Sequence, residues 1–146
     1  MFGKKKETPA AASSALGSLK LFTSALDAKG IKYRVDDERP VVRITYDGEN
    51  YKDLTFTFIF DDDGESVALR VFSIEEFTAA QLPQAYAFCN RMNSEYRWLR
   101  FHIDSDNELT AGMDAVITSE NAGAVCSELL SRAVDIVDDV CGALRG

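Results

Sequence analysis

The sequence predicts an α+β fold in which helices pack on an antiparallel meander sheet, in the element order α-β-β-β-β-α-β-β-α. Three observations predict this order. Apolar residues have helical spacing near both ends and in the middle of the chain, the segments between these helices alternate with a two-residue period, and tight-turn signals separate the strands. The 146 residues, 46 % hydrophobic and 27 % charged, have the length and composition of about one globular domain. We expect a flexible tail over residues 1–12 and a single domain over residues 13–146.

Three segments have the apolar spacing of amphipathic helices. Gly30 follows the first and tolerates the left-handed geometry of a C-cap. Thr78 is a plausible N-cap of the second, and Pro83 lies in its first turn, where its missing N–H does least harm. The third, capped by Ser119, has a wide apolar arc that predicts docking on the core, with a dimer seam as the alternative. The helices are predicted over residues 14–29, 79–93 and 120–144.

Six segments alternate between apolar and polar residues with the period of a strand. The clearest is the third, in which Leu54, Phe56, Phe58 and Phe60 share one face and predict a core beneath the terminal helix. The Asp47-Gly48 pair indicates a hairpin turn before it. The strands are predicted over residues 31–36, 41–46, 51–60, 66–73, 96–104 and 108–118.

The charge balance excludes several classes of function. With 16 basic and 24 acidic residues the net charge is −8. The tail holds three lysines, Lys4 to Lys6, and one acid, so residues 13–146 carry 13 basic and 23 acidic groups, a net of −10. Such a body repels phosphate backbones, and we expect no nucleic-acid partner. No apolar run approaches the ~20 residues of a membrane helix, so we expect no membrane insertion; a weak electrostatic tether is the alternative role of the lysines.

The cysteines indicate a reducing compartment. An odd number, Cys89, Cys126 and Cys141, excludes a fully intramolecular disulfide framework. None lies in a CxxC pair or beside a histidine, so a zinc site lacks its ligands. We expect buried thiols and a cytoplasmic protein.

No motif indicates catalysis, a cofactor or a metal. His102 is the only histidine, and no nucleophile or metal-binding spacing accompanies it. In the Asp61-Asp62-Asp63-Gly64-Glu65 run, an EF-hand alignment would put Ile59 and Arg70 at ligand positions, so a hairpin turn is the better interpretation. Glycine-rich phosphate loops are absent from the sequence. We therefore expect a non-enzymatic protein; a small-molecule enzyme is the alternative and needs a deep pocket with converging polar groups.

The sheet face opposite the phenylalanine row is the candidate site. Tryptophan, tyrosine and arginine are enriched at interface hot spots, and regular alternation would collect several of them there. Our hypothesis is that part of this face binds a protein partner or a second subunit; the alternative is that the second helix covers it. The candidate partner-binding residues are Phe72, Tyr96, Trp98, Arg100 and His102.

The blocks within residues 88–118 and the order of elements resemble the YbjN family, described as bacterial sensory transduction regulators. The blocks are Phe88-Cys89-Asn90-Arg91-Met92-Asn93, Tyr96-Arg97-Trp98-Leu99-Arg100-Phe101, an acidic turn over residues 104–108, Asp114-Ala115-Val116-Ile117 and a closing helix around residues 129–135. The resemblance covers roughly residues 16–144. It implies a fold similar to type III secretion chaperones, often dimeric, with no known catalytic residue or cofactor. Asn90 and Asn93 look typical of the family, and capping at a helix end is the simplest physical explanation for them.

From these observations we expect a non-enzymatic cytoplasmic bacterial protein-binding module resembling YbjN-type sensory transduction regulators. It would act through protein–protein contacts, form a homodimer and require no cofactor, with a partner that the sequence does not identify. The alternative is chaperone-like binding of a secreted or partly unfolded client, which could add a strand to an exposed sheet edge or lie in an apolar groove.

Overall fold

The computed structural model describes the backbone of residues 9–146 and the side chains of residues 14–146. Within these residues the predicted α+β class and the predicted element order are confirmed. The helices are α1 (Pro9–Ala28), α2 (Leu82–Glu95) and α3 (Ala122–Arg145), and a short 3₁₀ turn (Ala79–Gln81) precedes α2. The strands are β1 (Arg34–Val35), β2 (Val41–Tyr46), β3 (Leu54–Phe60), β4 (Ser66–Glu76), β5 (Arg100–Ile103) and β6 (Glu108–Val116).

The six strands form one antiparallel sheet in the order β1-β2-β3-β4-β6-β5. The first four strands follow the predicted meander. The last two form a hairpin, but β6 rather than β5 lies beside β4, which leaves β5 at the edge. The meander is interrupted because α2 intervenes between β4 and β5, so the chain returns to the sheet one strand position further out. None of the helices in the described part of the chain is both long and apolar enough to span a bilayer.

The chain divides into two compact units. The first contains the described residues up to Ile44, with Thr57–Leu69 and Asp114–Leu129; the second contains Thr45–Phe56, Arg70–Met113 and Leu130–Gly146. The single domain over residues 13–146 stays a prediction. Most of the predicted tail, including Lys4 to Lys6, lies outside the described residues. Its last four positions belong to α1, which begins at Pro9 instead of Ser14. Proline suits this first position because a helix does not use the N–H there.

In the first unit, α1 packs on the phenylalanine row of β3. The Phe22 ring lies 4.6 Å from the Phe58 ring and 6.4 Å from the Phe60 ring, measured between centroids, and all three side chains are buried. The Ser18 hydroxyl donates a 2.9 Å hydrogen bond to the Gly64 carbonyl, which fixes α1 to the β3–β4 turn. A side chain at Gly64 would collide with the Ser14 carbonyl, and its φ of +70° favours glycine. The burial confirms that the aromatic row points into a core; the ring contacts at Phe58 and Phe60 come from α1, whereas the sequence placed the terminal helix over this row.

In the second unit, the β2–β3 hairpin is fastened to α3. The Asn50 backbone N–H donates to Asp138 Oδ1 at 2.8 Å, and the Asn50 side-chain amide donates to the Asp138 carbonyl at 3.2 Å. The Tyr51 hydroxyl donates to the Val134 carbonyl at 3.4 Å, while its ring packs 6.2 Å from the Phe56 ring. Burial, with the nearby Asp138 carboxylate, raises the pKa of Tyr51. The apolar arc of α3 therefore docks on a core, as predicted, at the residues Leu130, Ala133, Val137, Val140 and Cys141.

Several strands differ from their predicted lengths, and residues with left-handed backbone geometry lie at three of these places: Asp53 before β3, Ser73 within β4 and Trp98 before β5. The predicted strand over residues 96–104 begins only at Arg100, since Trp98 has φ +77°. Conversely, β4 extends to Glu76, beyond its predicted end. Within it, Ser73 has a φ of +57°, which interrupts the alternation, so that Ile74 is buried where regular pleating would bury residue 73. At the other edge, β1 shrinks to Arg34–Val35, and both residues are exposed.

The cap of α3 also differs from the prediction. The Thr118 hydroxyl accepts hydrogen bonds from the backbone N–H groups of Glu120 and Asn121, and the Asn121 side chain accepts one from Thr118 N–H. Ser119, the predicted cap, lies between these two partners and is exposed. The reciprocal pairing satisfies N–H groups at the start of the helix, which explains why Thr118 and Asn121 set its boundary.

All three cysteines are buried and free. Burial raises the pKa of each thiol, to about 12 at Cys126. Such thiols stay protonated at neutral pH and act as small apolar side chains in the core.

Candidate protein-binding surface

The structure separates the five predicted site residues into three places, all in the second unit. Phe72 and His102 lie on the sheet face opposite the core. Tyr96 and Trp98 lie in the connection between α2 and β5, next to side chains of α3. Arg100 begins β5 but directs its guanidinium toward the end of α2. The prediction that alternation along one strand would align Tyr96, Trp98, Arg100 and His102 is wrong, because Tyr96 and Trp98 precede the strand.

The open sheet face carries Phe72, which is 50 % exposed, and the exposed His102. Arg70, on the same side of β4 as Phe72, extends over Gly112 and donates a 3.4 Å hydrogen bond to the Met113 carbonyl. A side chain at Gly112 would overlap Arg70, so this glycine makes room for the arginine. The alternative in which α2 covers this face is wrong for Phe72.

Trp98 projects from a tight turn and is 44 % exposed. The turn is closed by a 2.9 Å hydrogen bond from Leu99 N–H to the Arg97 carbonyl. Two guanidinium groups lie over the indole, that of Arg97 at 5.0 Å from the ring centroid and that of Arg132, on α3, at 4.6 Å. These cation–π contacts favour this position of the ring and leave much of it in contact with water. The result is a large, half-exposed aromatic side chain with two arginines over it.

Tyr96 caps the C-terminus of α2 beside this tryptophan and is half-buried. Burial raises the pKa of its hydroxyl, and the carboxylates of Asp139 and Glu95 add to the effect. Asp139 belongs to α3, so the Tyr96 hydroxyl lies within electrostatic range of that helix. The two aromatic residues therefore border α3 instead of the open sheet face.

Arg100 has a structural use. Its Nη1 donates to three carbonyls, those of Asn93 at 3.0 Å, Tyr96 at 3.1 Å and Leu99 at 3.4 Å. Carbonyls at a helix C-terminus lack partners within the helix, and a basic side chain near them satisfies these groups and the helix dipole. Arg100 therefore fixes the end of α2 and the turn that presents Trp98.

Asn93 has a role that the sequence does not reveal. Its side-chain amide pairs with both backbone groups of Phe101: Nδ2 donates to the carbonyl at 3.0 Å, and Oδ1 accepts from the N–H at 2.8 Å. Phe101 lies on the edge strand opposite Ala111 of β6. Asn93 thus occupies the place of a neighbouring strand, and the expected helix-end cap is wrong for this residue. The only sequence signal for this role was the resemblance of Asn93 to an asparagine typical of the family. The sequence does not show that its amide bonds to Phe101, because that contact depends on tertiary packing.

The acidic runs form turns. Asp104 accepts hydrogen bonds from the N–H groups of Asp106 and Glu108 and from the Thr110 hydroxyl, and these bonds, the Glu108 N–H foremost, lower its pKa. Carboxylate oxygens of Asp104, Asp106 and Glu108 lie within 4.8 Å of one another, but the Asp104 oxygens are already engaged in forming the turn. The Asp61–Glu65 run is likewise the predicted β3–β4 turn, in which the Asp61 carboxylate accepts from the Ser66 hydroxyl.

The fold is the α+β fold of type III secretion chaperone-like proteins, and in this chain half-exposed aromatic side chains lie on the surface. The chain belongs to the YbjN family, whose model, described as "putative bacterial sensory transduction regulator", matches residues 18–145. The crystal structure of YbjN, a putative transcription regulator from E. coli, is similar, with a TM-score of 0.60, 12 % identity, and coverage of 84 % of this chain and 87 % of that one.

Two chaperone-like structures solved as complexes share the fold. The Yersinia pestis type III secretion chaperone SycH, in complex with a stable fragment of YscM2, matches with a TM-score of 0.57 and 15 % identity over 84 % of this chain and 98 % of that one. The ExsC–ExsE complex matches with a TM-score of 0.51 and 18 % identity over 82 % and 90 %. No curated protein matches the sequence of the chain.

Proposed function

We propose that this chain is a non-enzymatic regulator of the bacterial cytoplasm that acts by binding another protein through the surface around Trp98. The observation that carries the proposal is the half-exposed indole held under Arg97 and Arg132. A partner that covers an exposed indole gains the free energy of burying its apolar surface, and tryptophan and arginine are enriched at interface hot spots. Family membership and neighbours solved with protein partners support the same function.

Rigid presentation strengthens the case for Trp98. The turn at Leu99, the cation–π contacts, and Arg100 at the end of α2 all restrict the ring before any partner arrives. Preorganisation reduces the conformational entropy that binding must overcome. Tyr86, on α2, is comparably exposed at 56 % but has no cation–π contact among those found in the described residues. Tyr86 is therefore the matched control.

Replacement of Trp98 by alanine should weaken partner binding strongly, while Tyr86→Ala should leave it unchanged. Loss of a central hot-spot tryptophan costs at least about 2 kcal/mol of binding free energy, or roughly thirtyfold in affinity. Affinity capture from the native host, followed by titration with the purified partner, measures both effects. Equal affinity of Trp98→Ala and the unaltered protein would refute the role of this surface.

The form of the captured partner distinguishes the alternative, chaperone-like binding of a secreted or partly unfolded client. The feature that favours it is the exposure of the edge strand β1, beside which an extended segment could pair. The opposite edge is less open, because Asn93 already occupies the backbone groups of Phe101. Circular dichroism of the isolated partner separates the two cases: a folded partner supports the regulator, and an unstructured one supports the chaperone.

Homodimerisation is a further part of the proposal, supported by the open sheet face that carries Phe72. We expect sedimentation equilibrium to give twice the mass of one chain, and Phe72→Glu to shift the population toward monomer because a buried charge at a subunit contact lacks a partner. Tyr86→Glu is the control with the same new charge on a different surface. A single-chain mass at all concentrations for the unaltered protein would contradict the dimer.

A further inference from the structure

The segment from β1 to β2 forms an arginine-lined hollow that the proposed protein-binding surface does not use. Residues 34–39 and Arg43 surround a volume of about 430 Å³. This volume is within the range of small-molecule sites. Three of the seven lining residues are arginines, Arg34, Arg39 and Arg43, although the protein as a whole is acidic.

Two of these arginines occupy directly opposed backbone positions. In the pairing of β1 with β2, Arg34 lies opposite Arg43. Like charges at directly opposed positions of neighbouring strands repel each other and destabilise the pairing. An anion between the two guanidinium groups would remove this repulsion, so the register itself favours a negatively charged occupant.

The Asp36 carboxylate meets only part of this requirement. Its Oδ2 accepts from Arg39 Nη2 at 3.1 Å and Arg43 Nη1 at 3.4 Å, and its Oδ1 accepts from the Glu38 N–H at 3.0 Å. Within residues 14–146, no side chain or carbonyl accepts a hydrogen bond from the Arg34 guanidinium. The chain therefore supplies an anion to one side of the arginine pair and leaves the other side to solvent.

The Asp36 carboxyl stays ionised over the whole physiological pH range and therefore keeps its contacts with Arg39 and Arg43. The Glu38 N–H first, and then the Arg39 guanidinium, lower the pKa of its carboxyl to about 2. The other two acids of the hollow, Asp37 and Glu38, are exposed at the tip of the turn, where solvent and salt screen their charges.

We propose that the hollow binds a small oxyanion, the phosphate or carboxylate group of a small molecule, between the guanidinium groups of Arg34 and Arg43. The planar fork of N–H donors on each arginine matches two oxygens of such a group. Asp36 acts as a positioning residue that orients Arg43. The negative charge of the body repels polyanions but admits a ligand with few charges. The site is independent of the proposed protein-binding function, because its residues belong to the first unit and Trp98 belongs to the second.

The test is a titration of the full-length, isotope-labelled protein with inorganic phosphate and, separately, with succinate, followed by NMR at constant ionic strength. We expect saturable shifts of backbone signals over residues 34–43 with at least one probe, and the responding probe identifies the source of the oxyanion. Arg34→Gln should weaken binding at least about tenfold. Arg34→Lys keeps the charge but loses the fork, so binding should be weakened by a smaller factor.

Lys52→Gln is the matched control, since it removes one exposed positive charge outside the hollow. Its affinity for the probe should equal that of the unaltered protein. Shifts that fail to saturate with both probes, or equal affinities for Arg34→Gln and the unaltered protein, would overturn the proposal. Arg34 is exposed, so circular dichroism of Arg34→Gln should show an unchanged fold and separate loss of binding from loss of structure.

Discussion

Replacement of Phe58 by alanine should destabilise the protein by about 3–5 kcal/mol, the largest effect we expect from a single substitution. Phe58 has no exposed surface, and its ring packs 4.6 Å from that of Phe22. Alanine removes the apolar area buried by the ring and leaves a cavity that rigid neighbours fill only in part. Urea unfolding followed by far-UV circular dichroism measures the change in the free energy of unfolding.

Phe72→Ala is the matched control, because it makes the same chemical change on the neighbouring strand at a half-exposed position. We expect less than about 1 kcal/mol of destabilisation there. Since a loss of 5 kcal/mol can unfold a protein of ordinary stability, Phe58→Leu provides a milder variant, with about 1.5 kcal/mol or less expected. Similar losses for Phe58→Ala and Phe72→Ala would show that the aromatic row of β3 does not form the core.

Replacement of Asn93 by alanine should cost about 2–3 kcal/mol, the second-largest effect. The substitution leaves the N–H and the carbonyl of Phe101 without the two partners that the asparagine amide provides. Partly buried backbone groups that lose their hydrogen bonds each cost about 1 kcal/mol or more. Hydrogen exchange at the Phe101 amide should accelerate along with the loss of stability, which links the energetic effect to this one contact.

Asn90→Ala is the control, since Asn90 lies one turn earlier on the same helix and is exposed. Both substitutions gain the same helix propensity, so the difference between them isolates the edge-strand contact. Asn93→Asp keeps an acceptor for the Phe101 N–H but loses the donor, and we expect an intermediate stability. If Asn90→Ala and Asn93→Ala have equal stability, the Asn93 amide does not stabilise the edge strand, and capping at the helix end remains the explanation for this residue.

Freed backbone groups at the edge of a sheet also promote association with other chains. Asn93→Ala should therefore form larger species at high protein concentration than Asn90→Ala does, as measured by light scattering. An extended client, if the chain acted as a chaperone, would pair at the opposite edge, beside β1. Asn93 thus closes one edge of the sheet at Phe101, whereas β1 leaves the other edge short and exposed.

The local sequence was sufficient to predict which side chains are buried wherever burial follows from the period of a helix or a strand. Alternation in residues 54–60 determined that the phenylalanines of β3 point inward, because successive side chains of a strand face opposite sides. Helical spacing likewise determined the buried arc of α3 and the order of the elements. The resemblance in residues 88–118 was sufficient to identify the family.

Tertiary structure alone decided the remaining features, because they depend on groups distant in the chain or on single backbone angles. A left-handed φ at Trp98 removed Tyr96 and Trp98 from the predicted strand and set them beside Asp139 and Arg132 of α3. The target of Asn93 exists only once β5 lies beside α2. The opposition of Arg34 and Arg43 likewise follows from the register between two strands, which depends on the geometry of the turn as well as on the apolar pattern.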